Sequence, residues 1–259
     1  MTPVAVITGA SAGIGAELAR VFARNGHALV LVARRRDRLE MLADEIAASG
    51  APRPFVIALD LSEPGAASRI RQALDDNGLE AQYIVNNAGF GLTGRVTAIE
   101  RTEMLGMVDV NVRALTDLSL VFLDSLIRQR GGVLNVGSVA GFVPGPSSAI
   151  YYASKAFVVS FSEALHYELR AKGVRVSVLC PGPVATEFQA RAGIPEMKIP
   201  SVLDVPAARV AEIGYRGLMR GRRVVIAGLG NKILVALLRI LPNSLLLGLV
   251  ERRQRGRRT

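Results

Sequence analysis

"VAVITGASAGIGAELARVFAR", residues 4–24, passes from an apolar, β-branched run through a glycine-rich turn into a helical repeat. The run at 4–8 has no polar face for water, which suits a strand covered on both sides. Gly9, Gly13 and Gly15 follow in G-x-x-x-G-x-G spacing. Glycines there allow a tight turn and close approach of a phosphate, and the free N–H groups that open the next helix favour an anion. The spacing is not the usual dinucleotide fingerprint, so the turn's position between a strand and a helix carries the reading. Gly9, Ser11, Ala12, Gly13, Ile14 and Gly15 are therefore the first candidate cofactor contacts.

Working outward, the same alternation repeats. Strand candidates are 4–8, 28–33, 55–59, 83–87, 133–138, 174–180 and 223–227, and helix candidates are 15–24, 36–48, 64–76, 100–129, 151–171 and 205–219. Gly26, Gly50, Gly78, Gly131 and Gly173 fall where helices should stop, in the left-handed position glycine tolerates. Strand–helix alternation without linker or repeat predicts an α/β fold. One doubly wound domain is expected, with a seven-stranded, mostly parallel sheet and helices on both faces. The domain is assigned to 1–230, and 231–259 to an apolar helical extension with a basic tail.

The chain has 259 residues, half of them hydrophobic, and a net charge of +10. That is enough to bury a single large core. "RRRDR" at 34–38 and "ERRQRGRRT" at 251–259 carry much of the charge, but neither zinc-finger spacing nor an RNA-binding aromatic motif accompanies them, so nucleic acid is not an expected partner. Cys180 is the only cysteine, which excludes an intrachain disulfide. His27 and His166 show no metal-ligand spacing, and no metal is expected. The N-terminus lacks the basic and apolar regions of a signal peptide, so a cytoplasmic location is expected.

In folds of this kind the end of the second strand chooses between NAD and NADP, because a carboxylate there repels a 2′-phosphate. Here Ala33 is followed by Arg34, Arg35 and Arg36. An arginine holds phosphate through a planar, charge-assisted fork. This predicts NADP(H), with Arg34 the first candidate.

"YYASK" at 151–155 offers two tyrosines to one lysine. Tyr151 reaches Lys155 at i+4 and Tyr152 at i+3, so helical spacing leaves a tie. Other motifs break it. "TGASAGIG" at 8–15, "NNAG" at 86–89, Asn111 in "DVNV", Ser138 in "VGS", "YYASK" and "PGPVAT" at 181–186 together resemble the classical short-chain dehydrogenase/reductase family, in order and spacing, from residue 4 to about 228.

The resemblance implies a Rossmann-type fold and hydride transfer between a nicotinamide and an alcohol or carbonyl. Its tyrosine, three residues, lysine pattern selects Tyr151. It implies a catalytic set of Asn111, Ser138, Tyr151 and Lys155, with Lys155 also holding the nicotinamide ribose and Asn111 a water leading from Lys155 to solvent. Asp60 resembles the adenine-contacting aspartate, with a helix cap as its other reading, and Leu61 follows it. Asn86, Asn87, Ala88 and Gly89 pass close to the adenine ribose or hold the central strand. Pro181, Gly182, Val184 and Thr186 flank the nicotinamide and its phosphates. Family members commonly pair through the helices at 100–129 and 151–171, which implies a homodimer or homotetramer.

A ketone accepting hydride develops negative charge on oxygen and needs a proton donor beside it. Free tyrosine titrates near ~10. An ammonium at ~4 Å and an effective dielectric of ~20 contributes ~4 kcal/mol, or ~3 pKa units. Lys155 is therefore expected to depress the Tyr151 pKa, while the Ser138 hydroxyl stabilises the oxyanion.

The C-terminal stretch from 228 holds Leu237, Leu238, Ile240, Leu241, Leu245, Leu246, Leu247 and Leu249 but is interrupted by Arg239 and Pro242, too short a run to span a bilayer. It reads as a lid over a lipophilic site, a subunit contact, or a peripheral membrane contact through 231–259. Burial against the protein or a partner is the favoured reading. The expected substrate loop is 187–204. The whole predicts an NADP-dependent oxidoreductase acting on a small-molecule carbonyl or alcohol, in particular a lipophilic ketone or aldehyde. An NADPH-binding redox sensor without turnover is the alternative.

Overall fold

The structure, a computed structural model, describes residues 1–191, 202–242 and 246–248. Its strands are β1 (Thr2–Thr8), β2 (Ala28–Ala33), β3 (Phe55–Ala58), β4 (Leu79–Asn86), β5 (Gly132–Val136), β6 (Arg175–Cys180) and β7 (Val224–Ile226). They form one sheet in the order β3-β2-β1-β4-β5-β6-β7. Every neighbouring pair is parallel, so the mostly parallel sheet expected is parallel throughout. The helices are α1 (Gly13–Arg24), α2 (Arg36–Ala48), α3 (Ala66–Asp76), α4 (Arg101–Val108), α5 (Leu115–Val121), α6 (Leu123–Arg128), α7 (Ala149–Leu169), α8 (Glu187–Arg191), α9 (Ala207–Met219) and α10 (Leu229–Ile240).

Side-chain alternation along β1 divides the core in two. Ala5 and Ile7 face a cluster shared with α1, α2 and α9, and Val4 and Val6 face one shared with α3, α5 and α7. Burial on both faces is why the strands read as unbroken apolar runs. Phe22 of α1, fully buried, meets the rings of Tyr83 and Tyr215 edge-on at 5.8 and 4.9 Å. Burying such a side chain contributes about 1.5–3 kcal/mol.

Two local expectations are corrected. The stretch 100–129 is not one helix: α4 runs into a π-helical turn over Asp109–Ala114, and a break at Phe122 separates α5 from α6. Phe122 is 3% exposed, its side chain packed in the core. At the end of α6 the left-handed residue is Arg130 (φ 46°), not Gly131. Gly131 is required for another reason, since a Cβ there would collide with the Gln82 carbonyl oxygen.

The strand order reverses between β1 and β4, which opens a crevice at their carboxyl ends. At the other end of the chain, the boundary drawn at 230 falls inside α10, whose Asn231 and Val235 are buried against the domain. The basic tail, with Leu245 and Leu249, lies outside the described residues, as does 192–201 of the expected substrate loop.

Candidate active site

Thr8, the last residue of β1, ties the two sides of the crevice together. Its hydroxyl donates to the Val85 carbonyl at 3.2 Å and accepts the N–H groups of Asn87 and Ala88 at 3.0 and 3.1 Å. The Asn87 amide donates back to the Thr8 and Gly9 carbonyls at 3.0 and 3.2 Å. Gly9 has φ 64°, the left-handed conformation the turn requires, and a Cβ there would press on Ala88 and Asn87. The following helix starts at Gly13 with no side-chain cap on Ala12 and no acidic residue in its first turn. Its leading N–H groups and positive dipole end thus face the crevice, a setting suited to a pyrophosphate.

All the predicted site residues except Gly15, Asn86 and Asn111 line one continuous cleft of about 690 Å³. Asn86, which the resemblance left between ribose contact and strand support, lies beneath it. Gly15 stands behind the turn, where a side chain would strike the Gly9 carbonyl. At one end of the cleft Arg34 pairs with Asp60 at 3.5 Å. Burial opposes ionisation of Asp60, but hydrogen bonds from Ser62 and the Arg34 charge outweigh it and hold the carboxyl below its ordinary value. Asp60 lines the cleft and does not cap α3, whose N-cap is Gly65; its Oδ1 accepts instead from the Ser62 N–H and hydroxyl at 2.9 and 2.8 Å. Arg35 donates to Ser11 Oγ at 3.0 and 3.3 Å and to Glu187 at 2.8 Å. The sequence gives no sign of this contact, because nothing in the spacing of 11, 35 and 187 relates them.

At the other end, β5 delivers Ser138, which caps a short 3-10 turn by accepting the Ala140 N–H at 3.1 Å. The first two turns of α7 deliver Tyr151 and Lys155. The Lys155 Nζ lies 6.0 Å from the Tyr151 ring centroid and donates to the Val136 carbonyl at 2.8 Å. Both tyrosines line the cleft, their rings edge-on at 6.0 Å, but the Tyr152 ring occupies the space over Gly145. Tyr151 instead packs 5.6 Å from Phe188 and against Gly91.

The expected acidification of Tyr151 is reversed. Loss of water around the hydroxyl pushes its pKa up to about 12, against a downward pull from the Ser138 hydroxyl. Burial likewise pushes Lys155 down to about 8. Spacing shows the nearby charge but not the desolvation of both partners, and desolvation is the larger influence. The Tyr151 phenol therefore keeps its proton across the physiological range. Cys180, fully buried, is also pushed up to about 12 by burial and is held as a thiol.

Asn111 sits on the π-helical turn and is 1% exposed. Its amide is committed: Oδ1 accepts the Phe90 N–H at 3.1 Å, and Nδ2 donates to the Phe90 carbonyl at 2.9 Å and to Ser154 Oγ at 3.1 Å. The Asn111 side chain thus holds the 89–91 backbone over Lys155. A π-turn widens the helix by one residue and commonly marks a functional site. Beneath the cleft, Asn86 donates to Asn135 at 2.9 Å and to Ser119 at 3.0 Å, and Asn135 donates to Ser162 at 2.9 Å. This buried ladder joins β4, β5, α5 and α7. Ser154 and Asn135 were not singled out from sequence, and their only signal is a polar residue within an apolar run.

The family profile described as short chain dehydrogenase matches residues 3–196. A sulfoacetaldehyde reductase of Chromohalobacter salexigens is 39% identical over 191 residues, 73% of this chain and 75% of that protein. A short-chain dehydrogenase from Sphingobium yanoikuyae in complex with NADPH has 33% identity and a TM-score of 0.79, over 86% of this chain and 87% of that one. A short chain dehydrogenase/reductase from Burkholderia phymatum in complex with NAD has 26% identity and a TM-score of 0.80, over 92% of each chain. With the sheet order, the Thr8–Gly15 turn and the Ser138, Tyr151, Lys155 group now in place, the chain belongs to the short-chain dehydrogenase family of oxidoreductases.

Proposed function

We propose that the protein reduces a lipophilic ketone or aldehyde with NADPH. The observation that carries this reading is the polarity of the cleft: two arginines border its turn end, and its tyrosine end is walled by apolar side chains. A bound dihydronicotinamide supplies the hydride. Ser138 would donate to the carbonyl oxygen, and neutral Tyr151 would deliver the proton as charge develops there. Lys155, one helical turn away, would stabilise that charge and hold the ribose. Glycines 9, 13 and 89 are cradle positions where a Cβ would meet Ala88, Thr186 or Asn111, which fits close approach of a dinucleotide.

The preference for NADP(H) rests on Ala33 in place of a carboxylate and on the Arg34 and Arg35 forks. The NADPH complex of the Sphingobium relative supports it, and the NAD complex of the Burkholderia relative is the competing precedent. Phe90, Leu92, Val110, Tyr152 and Phe188 line the substrate end. Apart from Lys155, no lysine or arginine among the described residues joins them there. Among the described residues only Lys155 would offer a charge to a sulfonate like that of the Chromohalobacter enzyme's aldehyde, which favours an uncharged, apolar carbonyl. The exposed Leu120 and Phe157, on α5 and α7, support subunit pairing across those helices.

A panel of aliphatic, aromatic and sulfonated carbonyls, followed by NADPH and NADH absorbance, tests the reading. Higher kcat/KM with NADPH and with the apolar carbonyls is expected. An NADH preference, or a preference for the sulfonated aldehyde, overturns it.

A further inference from the structure

Helix α10 leaves a row of large apolar side chains in solvent. Leu229, Ile233, Leu237 and Ile240 are 73%, 54%, 53% and 81% exposed. At about 100° per residue they fall within a strip roughly 80° wide, with buried Asn231 and Val235 on the far side. Burial against the protein or a partner is the expectation: one face of α10 packs on its own domain, and the other is exposed in the single chain. Val202, 66% exposed, lies beside Gly230 and lengthens the patch. Soluble surfaces scatter such residues singly, and a contiguous row calls for a cover.

The charge indicates which cover. From residue 229 onward seven basic side chains stand against one acidic, Glu251. Lys232 and Arg239 border one side of the row, with Arg239 4.9 Å over the Phe142 ring and 3.9 Å from Glu163. A second copy of this face would set like charges against each other. An anionic bilayer takes both features, the apolar row at the acyl boundary and the arginines among the headgroups. No helix among the described residues is long and apolar enough to cross a membrane, and α10, 12 residues and about 18 Å long, could only lie along its surface.

We propose that the exposed face of α10 docks the protein on an anionic membrane surface, a preference that the positive charge of the sequence after it strengthens. The reading does not depend on the reaction catalysed. Its test is sedimentation of the full chain with vesicles of phosphatidylcholine alone and of phosphatidylcholine mixed with phosphatidylglycerol. Salt-sensitive pelleting with the anionic vesicles is expected. Ile233→Glu/Leu237→Glu should weaken it by at least about tenfold, since it replaces two membrane-facing apolar groups with charges. A second variant, with Gln at Arg252, Arg253, Arg255, Arg257 and Arg258, leaves the described fold untouched and should reduce pelleting to the phosphatidylcholine level. Absence of pelleting, equal pelleting with both vesicles, or unchanged pelleting of a folded variant overturns the proposal. So does a drop in oligomeric order of the Ile233→Glu/Leu237→Glu variant by analytical ultracentrifugation, which would make the face a subunit contact.

Discussion

Glu187 Oε2 lies 2.8 Å from Nη1 of Arg35, so α8 is tied by a charge pair to the arginine that also holds Ser11 of the glycine turn. Arg38 approaches the same carboxylate at 3.4 Å. These arginines hold Glu187 below the ordinary carboxylate range, and it stays ionised at neutral pH. An incoming 2′-phosphate would have to share Arg35 with it. Exposed pairs of this type are worth about 0.2–1 kcal/mol, up to roughly fivefold in binding. Glu187→Gln should therefore lower the NADPH dissociation constant about two- to fivefold, leave that of NADH unchanged, and lose the difference at high salt. Fluorescence titration of both nucleotides measures this, and an unchanged NADPH constant would leave phosphate recognition to Arg34.

The two tyrosines separate by what each ring touches. Tyr151→Phe removes the hydroxyl facing Ser138 and should lower kcat by about 10²–10⁴ with NADPH affinity retained. Tyr152→Phe keeps the ring over Gly145 and should retain most activity. Steady-state kinetics with nucleotide titration decides, and the reverse ranking would shift the proton donor to Tyr152.

Lys155 contributes to pH dependence with a definite sign. Its folded pKa is lowered from 10.5 to about 8. Between those values the unfolded chain binds a proton that the folded chain does not, so stability should rise as pH climbs from about 8 towards 10.5. Below pH ~8 the folded protein carries a buried cation, and Lys155→Met should raise stability there by about 1–3 kcal/mol while abolishing turnover. The same deprotonation should make reductive kcat/KM of the native enzyme fall above pH ~8. Thermal melts and a pH–rate series test the two arms, and a Tm that falls on Lys155→Met would contradict the desolvation argument.

Asn135 joins Asn86 to Ser162 in a site with no exposure. Truncation to alanine takes the acceptor from the Asn86 amide N–H and the donor from the Ser162 hydroxyl oxygen, each at about 1–3 kcal/mol. Asn135→Ala should destabilise by about 2–4 kcal/mol in urea unfolding, whereas Asn77→Ala, at the exposed end of α3, should change stability by less than about 1 kcal/mol.

The strands were legible because burial on both faces demands β-branched runs, and the glycines between them punctuate every turn. The broken helix at 101–128 was not, since its π-turn depends on Asn111 finding the Phe90 backbone, a contact across 21 residues that no periodicity encodes. Within the site, residues belonging to the family motifs could be placed from sequence. The Arg35–Ser11 and Asn111–Ser154 contacts could not, being products of topology. The acidity of Tyr151 was misjudged because residue spacing reports which charges are near and says nothing of how much water has been removed.

The first turn of α10 sets Asn231 beneath Gly182, where any Cβ would overlap the Asn231 amide. That amide also donates to the carbonyls of Ala227 and Leu203 at 2.8 and 3.2 Å. The apparent appendage is thus a foundation stone of the wall it seems only to follow. Shortening the chain at residue 230 would loosen the Pro181–Gly182 corner of the reaction chamber along with whatever α10 touches outside it.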